Sequence, residues 1–227
     1  KGNFGACLML DKVLVRNCIE VMQEISNIEI TMKCRIGIDH NFNYDFFSDF
    51  INEVSKSGIK YIYVHARNAI MKGLSPKNNR TIPPLNYEFV SKIKVEHPNI
   101  DFILNGGINS IEEAYELIKK YDGVMAGRLI QNNPFSLRQV DNLFYDKSYN
   151  NISTEKIIFE YFNYIRDKLG TDSTFRLLSP LLGTLFALPN SKNFKINIQK
   201  IIKNNEIHVL EKLFLNFFNE EKNSKKL

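Results

Sequence analysis

The sequence holds only three cysteines in 227 residues, Cys7, Cys18 and Cys34, too few for a disulfide framework and in keeping with a reducing compartment. No Cys-x-x-Cys pair occurs, so a zinc ribbon is excluded and no metal site is expected. Long apolar runs are missing too. The most apolar stretches, such as Tyr61 to Val64 and Leu213 to Phe218, fall far short of the roughly 20 residues that cross a bilayer, so no membrane partner is expected. No solenoid-type repeat is visible. What is present suffices for a core: 44% hydrophobic and 24% charged residues exclude wholesale disorder. The chain opens Lys-Gly-Asn-Phe-Gly-Ala-Cys, with neither Met nor a cleavable signal pattern. It reads as the inside of a longer protein, which leaves cytoplasm and organelle both open.

The formal charge of +5 is uneven. From Asn150 onward there are 12 Lys and Arg against 8 Asp and Glu, while the preceding residues are nearly balanced at 18 against 17. A basic C-terminal third suits an anionic partner such as nucleic acid; solvated helix faces would give the same count.

The first 130 residues alternate two patterns. Glu29 to Arg35, Tyr61 to Ala66, Asp101 to Asn105 and Gly123 to Gly127 read as buried strands. Between them, Phe46, Phe47, Phe50, Ile51 and Val54 share a helical face closed by Gly58. Tyr87, Val90, Ile93 and Val95 suggest a second helix stopped by Pro98. Ser110 with Glu113 reads as a capping box for a third. Repeated strand–helix units imply a parallel α/β sheet or barrel. From Thr154 helix follows helix: one stripe through Ile157, Ile158, Tyr161 and Ile165 ended by Gly170, another over Phe175 to Leu188, then basic helices near Asn193 to Lys203 and Ile207 to Asn219. A polar cluster at Asp146 to Ser153 places the boundary between residues 1–149 and 150–227. A full (β/α)8 barrel needs roughly 200–250 residues. The fold expected is therefore α/β, the C-terminal half of a TIM barrel with four parallel strands, followed by an all-helical domain. Such a half would be an open sheet with helices outside, its inward face formed around Ile62, Val64, Ile103 and Val124.

Polar residues cluster where the strands end, which is where α/β barrels place their active sites. Lys33 and Arg35 end the first strand, His65 and Arg67 the second; Asn105-Gly106-Gly107 follows the third and Gly127-Arg128 the fourth. Alternation puts Thr31, Lys33 and Arg35 on one face, Met32 and Cys34 on the other. A barrel-facing ammonium at Lys33 has no structural reason, since burying it without an anionic or polar partner is costly. His65 reads equally as a satisfied core histidine or a site residue. The two glycine-containing loops fit a phosphate held by backbone N–H groups and an arginine fork; tight turns with a surface arginine are the alternative.

At this point the motifs resemble a family. Phe4-Gly5-Ala6-Cys7-Leu8-Met9, Lys33-Cys34-Arg35-Ile36-Gly37-Ile38-Asp39, Val64-His65-Ala66-Arg67, Asn105-Gly106-Gly107-Ile108 and Gly123-Val124-Met125-Ala126-Gly127-Arg128 look like those of the tRNA-dihydrouridine synthases, in order and spacing. Leu74 to Leu85 looks like the A-type bacterial branch. The resemblance runs from Lys1 to about Pro134 and returns in Leu182 to Lys195.

The resemblance implies an FMN-dependent, NADPH-driven reduction of the uridine C5–C6 double bond in tRNA, at positions 20 and 20a of the D-loop. Hydride from reduced flavin goes to C6 and a proton from Cys7 to C5. Lys33 and His65 would contact the flavin; Asn105, Gly106, Gly107, Gly127 and Arg128 would hold its phosphate. Arg67, Lys77, Asn79 and Arg80 would lie near tRNA, with Arg176, Lys192 and Lys195 on a helical tRNA-binding domain. Cys18 and Cys34 are read as structural, and the full-length protein as a monomer. Lysines stand at 192 and 195, and Ser179 at a third place, where arginines are usual; the family's first-strand flavin contacts and its Gly-Cys-Pro segment are not among these residues. Taken without the family context, Cys7 reads as packing at a helix start. Other readings are a tRNA-binding remnant without catalysis, and another FMN barrel such as a dihydroorotate dehydrogenase relative.

Overall fold

The computed structural model describes residues 4–145, 152–203 and 207–224. Four strands, β1 (Thr31–Arg35), β2 (Tyr61–His65), β3 (Asp101–Asn105) and β4 (Gly123–Met125), form one parallel sheet whose spatial order is the chain order. Successive crossovers all in one direction give that order. A doubly wound sheet would reverse it at a switch point. The arrangement is the singly wound α/β arc of a TIM barrel.

Each strand is short and sorts its side chains by parity. Cys34, Ile62, Val64, Phe102 and Leu104 are buried against α2 (Tyr44–Ser55) and α3 (Tyr87–Glu96), which contribute Phe47, Phe50, Ile51, Val54, Val90 and Ile93 to the same core. Register makes this face continuous, because Cys34 lies level with Val64 and Val64 with Leu104. The expected inward face is therefore corrected. Ile62, Val64 and Val124 fall on the helix-packed side; of the four, only Ile103 stands on the opposite face, level with Tyr63 and Lys33. Lys33 and His65 already fixed that parity, since a residue two before His65 must share its side.

The helices begin where the sequence supplies caps. Asp11, Asn43, Asn86 and Ser110 each accept the backbone N–H three residues on, opening α1 (Lys12–Ile25), α2, α3 and α4 (Ile111–Ile118). The Ser110 box closes one residue early: Glu113 Oε2 accepts from Asn109 N at 2.8 Å. Three strand expectations shorten, β2 ending at His65 rather than Ala66. β1 starts at Thr31 rather than Glu29, and β4 ends at Met125 rather than Gly127.

The chain divides into two units between Ala126 and Gly127. The expected boundary at 149/150 lies outside the described residues. The second unit holds α5 (Arg128–Asn132), α6 (Val140–Tyr145), α7 (Thr154–Lys168), α8 (Thr174–Gly183), α9 (Ser191–Lys203) and α10 (Ile207–Ser224). Its own core joins Ile158, Phe162, Leu178, Leu185, Ile198, Leu210 and Phe214. The helix expected over Phe175 to Leu188 stops at Gly183. There a Cβ would lie 2.0 Å from the Gln131 carbonyl oxygen, so α8 ends where only glycine allows α5 so near. Among the described residues no helix is long and apolar enough to cross a membrane.

In the described residues β1 pairs only with β2 and β4 only with β3, leaving both sheet edges open. Leu14, Val21 and Ile25 also form an exposed apolar stripe along α1. Open edges and exposed apolar faces both template association. These 227 residues expressed alone should elute from a sizing column as aggregates or oligomers under light scattering; a monodisperse monomer would refute this.

Candidate active site at the strand ends

The face of the sheet opposite the core carries the polar residues, in rungs set by register. Lys33, Tyr63 and Ile103 make one rung; Arg35, His65 and Asn105 make the next, at the C-terminal ends of the strands. Three of the expected residues, Lys33, His65 and Asn105, are thus brought to one face of the first unit. Lys33 is exposed and, among the described residues, forms no ion pair. Partial desolvation of its ammonium, followed by repulsion from Arg35, lowers its pKa. His65 is buried at 6% exposure. The Asn105 side-chain amide donates to the Met125 carbonyl at 2.7 Å and so ties the ends of β3 and β4.

Gly106 and Gly107 are required by the protein's own packing. Both have positive φ (112° and 76°). A Cβ on Gly106 would meet His65 Cδ2 at 2.7 Å, and one on Gly107 would meet Leu85 Cδ1 at 2.4 Å. The Tyr87 hydroxyl donates to the Gly106 carbonyl at 2.6 Å. The turn after β3 is thereby fitted against His65 on one side and the end of the β2–α3 loop on the other.

That loop, residues 66–86, is where the structure adds most to the sequence reading. Arg67, at 9% exposure, donates from Nη1 to the carbonyls of Thr81 (3.2 Å) and Pro83. Arg35 Nη1 donates to the carbonyls of Asn68 (3.1 Å) and Asn79 (2.9 Å). The Asn79 side chain is bonded at both ends to Ile70, accepting from its N–H at 2.8 Å and donating to its carbonyl at 2.5 Å. Arg67 and Asn79 therefore spend these contacts on the loop's main chain, whereas Lys77 and Arg80 stand exposed on it. The loop after β1 is sewn in as well. Asp39 N donates to the Ala69 carbonyl (2.7 Å), Asp39 Oδ1 accepts from Met71 N (2.7 Å) and Asn68 Nδ2 donates to the Asp39 carbonyl (2.8 Å). Arg35, Asp39, Asn68, Leu85 and Tyr87 were not picked out as site residues by sequence. Arg35 carried a signal in its shared parity with Lys33, and Asp39 and Leu85 lie within the family-like motifs quoted above.

Cys7 lies half-buried in a 3-10 turn, Gly5–Leu10, which touches β1 and leads into α1. Its Sγ donates to the Phe4 carbonyl at 3.0 Å. Cys34 is buried, and burial pushes its thiol up to about 12. Cys18 is exposed on α1.

The remaining expected residues belong to the second unit. Gly127 caps α5 with nothing within 4 Å of where a Cβ would stand, and Arg128 begins the helix. Arg176, on the first turn of α8, pairs with Asp172 at 3.2 Å. Ser179 lies one turn further along α8. Lys192 is exposed and Lys195 half-buried on α9. Among the described residues no cluster of His, Cys, Asp and Glu could hold a metal ion.

A family model described as dihydrouridine synthase matches residues 1–221. A protein of Shewanella oneidensis named tRNA-dihydrouridine(20/20a) synthase is 37% identical over 195 residues, 86% of this chain and 58% of its own length. Its namesake in Vibrio vulnificus is 36% identical over 201 residues (88% and 62%), and that of Escherichia coli K12 is 37% identical over 196 (86% and 57%). The chain thus spans about six tenths of the length of these relatives.

The Gly106 turn yields a direct test. Gly106→Ala must place a Cβ against a buried histidine at a φ that non-glycine residues rarely adopt. A loss of about 1–3 kcal/mol is expected from urea denaturation. A midpoint within error of the unmodified protein would show that the turn has slack.

Proposed function

Because the chain belongs to the dihydrouridine synthase family, we propose that it carries the proton donor, part of the flavin site and the helical tRNA-binding unit of a tRNA-dihydrouridine synthase. The reaction is reduction of the uridine C5–C6 double bond in the tRNA D-loop, at the positions 20 and 20a that the relatives' names give. The observation that carries this reading is the polar face: an ammonium without an ion-pair partner among the described residues, Lys33, one rung below Arg35, His65 and Asn105. Lys33 is exposed there beside buried His65, and a polar face of that kind suits an anionic, ring-bearing ligand.

The residues fit FMN, with NADPH as reductant. The space at the N-cap of α5, where a Cβ on Gly127 would meet nothing, suits a phosphate beside Arg128. At Gly106 and Gly107 the side-chain space is taken by His65 and Leu85, so those residues can offer a phosphate only backbone groups. Bound FMN would supply the hydride that forms the new bond at C6. Lys33 then places positive charge beside the ring, and His65 and Asn105 offer polar edges. Cys7 gives its thiol proton to C5 and is left as a thiolate that regains a proton from water. The S–H donates to the Phe4 carbonyl in this structure and would turn from it to reach C5. Lys77 and Arg80 on the loop, and Arg176, Lys192 and Lys195 on the helices, would meet the tRNA backbone, so binding should weaken steeply with salt.

Two substitutions in the full-length protein test the assignment. Cys7→Ala should retain flavin and tRNA binding while dihydrouridine formation falls roughly 100- to 10,000-fold, the usual range for a general acid. Near-normal turnover, measured by mass spectrometry of tRNA digests, would remove the acid role. Lys33→Ala should purify with less flavin, read from absorbance near 450 nm on the order used for flavoproteins, and be reduced more slowly. Full flavin content with a normal reduction rate would show that Lys33 serves something else.

A further inference from the structure

The β2–α3 loop is long, runs 66–86 with no helix beyond the short turn Asn78–Arg80, and still has its main chain held at both ends. Loops of this length without regular structure are uncommon unless they serve a site. At one end Leu85 plugs the turn after β3, and Asn86 N donates to the Ala66 carbonyl at 2.9 Å. At the other end the anchor is a side chain of the sheet itself: Arg35, on the site-facing parity of β1, holds the carbonyls of Asn68 and Asn79. The Asn79 carbonyl sits between Lys77 and Arg80, inside the short turn closed by Arg80 N to the Lys77 carbonyl at 3.1 Å.

Resting on the reading above, we propose that Arg35 is a positioning residue. By gripping the Asn79 carbonyl it fixes where the loop presents Lys77 and Arg80 to the tRNA backbone, without itself touching the reacting atoms. The chemistry suits a guanidinium. One nitrogen with two N–H groups reaches two carbonyls 11 residues apart, at 3.1 and 2.9 Å, and a charged donor makes the stronger kind of hydrogen bond. A neutral donor would hold the loop less firmly, and a carboxylate could not donate to it when ionised. Arg35 is desolvated and feels the charges of Arg67 and Arg80, which lower its pKa.

The test uses amide hydrogen exchange and steady-state kinetics on the full-length protein. In Arg35→Gln the amides of Asn79, Arg80, Thr81 and Ile82 should exchange about 10- to 100-fold faster, the factor expected from losing hydrogen bonds to a charged donor, while amides of β2 and β3 keep their rates. The KM for tRNA should rise about tenfold with kcat within about threefold, and Arg35→Lys should fall between. Unchanged exchange of the loop amides would overturn the proposal, and so would a fall in kcat with KM preserved, the mark of a group acting on the uracil itself. If Arg35→Gln does not fold, exchange in Arg35→Lys decides by the same criterion. Should the unmodified protein form no dihydrouridine, the functional reading fails, while the exchange result still says whether Arg35 holds the loop.

Discussion

Strand parity is the constraint on which the rest of the first unit depends. In a parallel strand every second side chain must face the helices, and register carries that choice across the whole sheet. Once Val64 is buried beneath α2 and α3, its rung partners Cys34 and Leu104 are buried with it, and Lys33, Arg35, His65 and Asn105 are delivered together to the other side. A one-residue slip of β2 would send His65 into the core and Val64 to the polar face. The hydrophobic core and the candidate site are therefore two readings of one alternation, and the core's stability is what holds the site's geometry.

Above the strands a second layer follows from the first. Arg35 ends β1 pointing toward the polar side, and the loops after β1 and β2 close around it and Arg67 through main-chain carbonyls. Carbonyls in a long loop need donors, and here two arginines and two asparagines provide them where no ladder can. The glycine pair after β3 belongs to the same layer. Its missing side chains leave room for Leu85 and His65, so the turn, the histidine and the loop end interlock. Residues that look like ligand contacts in sequence thus also hold the loops together.

Much of this was legible beforehand. The four strands, the Ser110 cap ahead of an apolar run, and the polar strand ends all follow from local pattern, because periodicity and capping are local physics. The inward face was misplaced because Ile62 and Val64 look like barrel lining when judged by hydrophobicity alone, whereas parity with His65 puts them outside. The end of α8 could not be read, since Gly183 is demanded by Gln131, more than 50 positions away in sequence. The grip on the Asn68 and Asn79 carbonyls was invisible for the same reason: Arg35, which holds them, lies 33 and 44 positions away.

Burial of Cys34 has a practical use. The protein carries thiols in three surroundings: exposed at Cys18, half-buried at Cys7 and enclosed beneath the helices at Cys34, where the thiolate is strongly disfavoured. Alkylation requires thiolate and access together. Counting adducts on the intact mass would therefore clock the opening of the sheet–helix core, because the third label can add only when α2 and α3 part from the strands. The chain contains its own reporter of global unfolding, with no engineered probe.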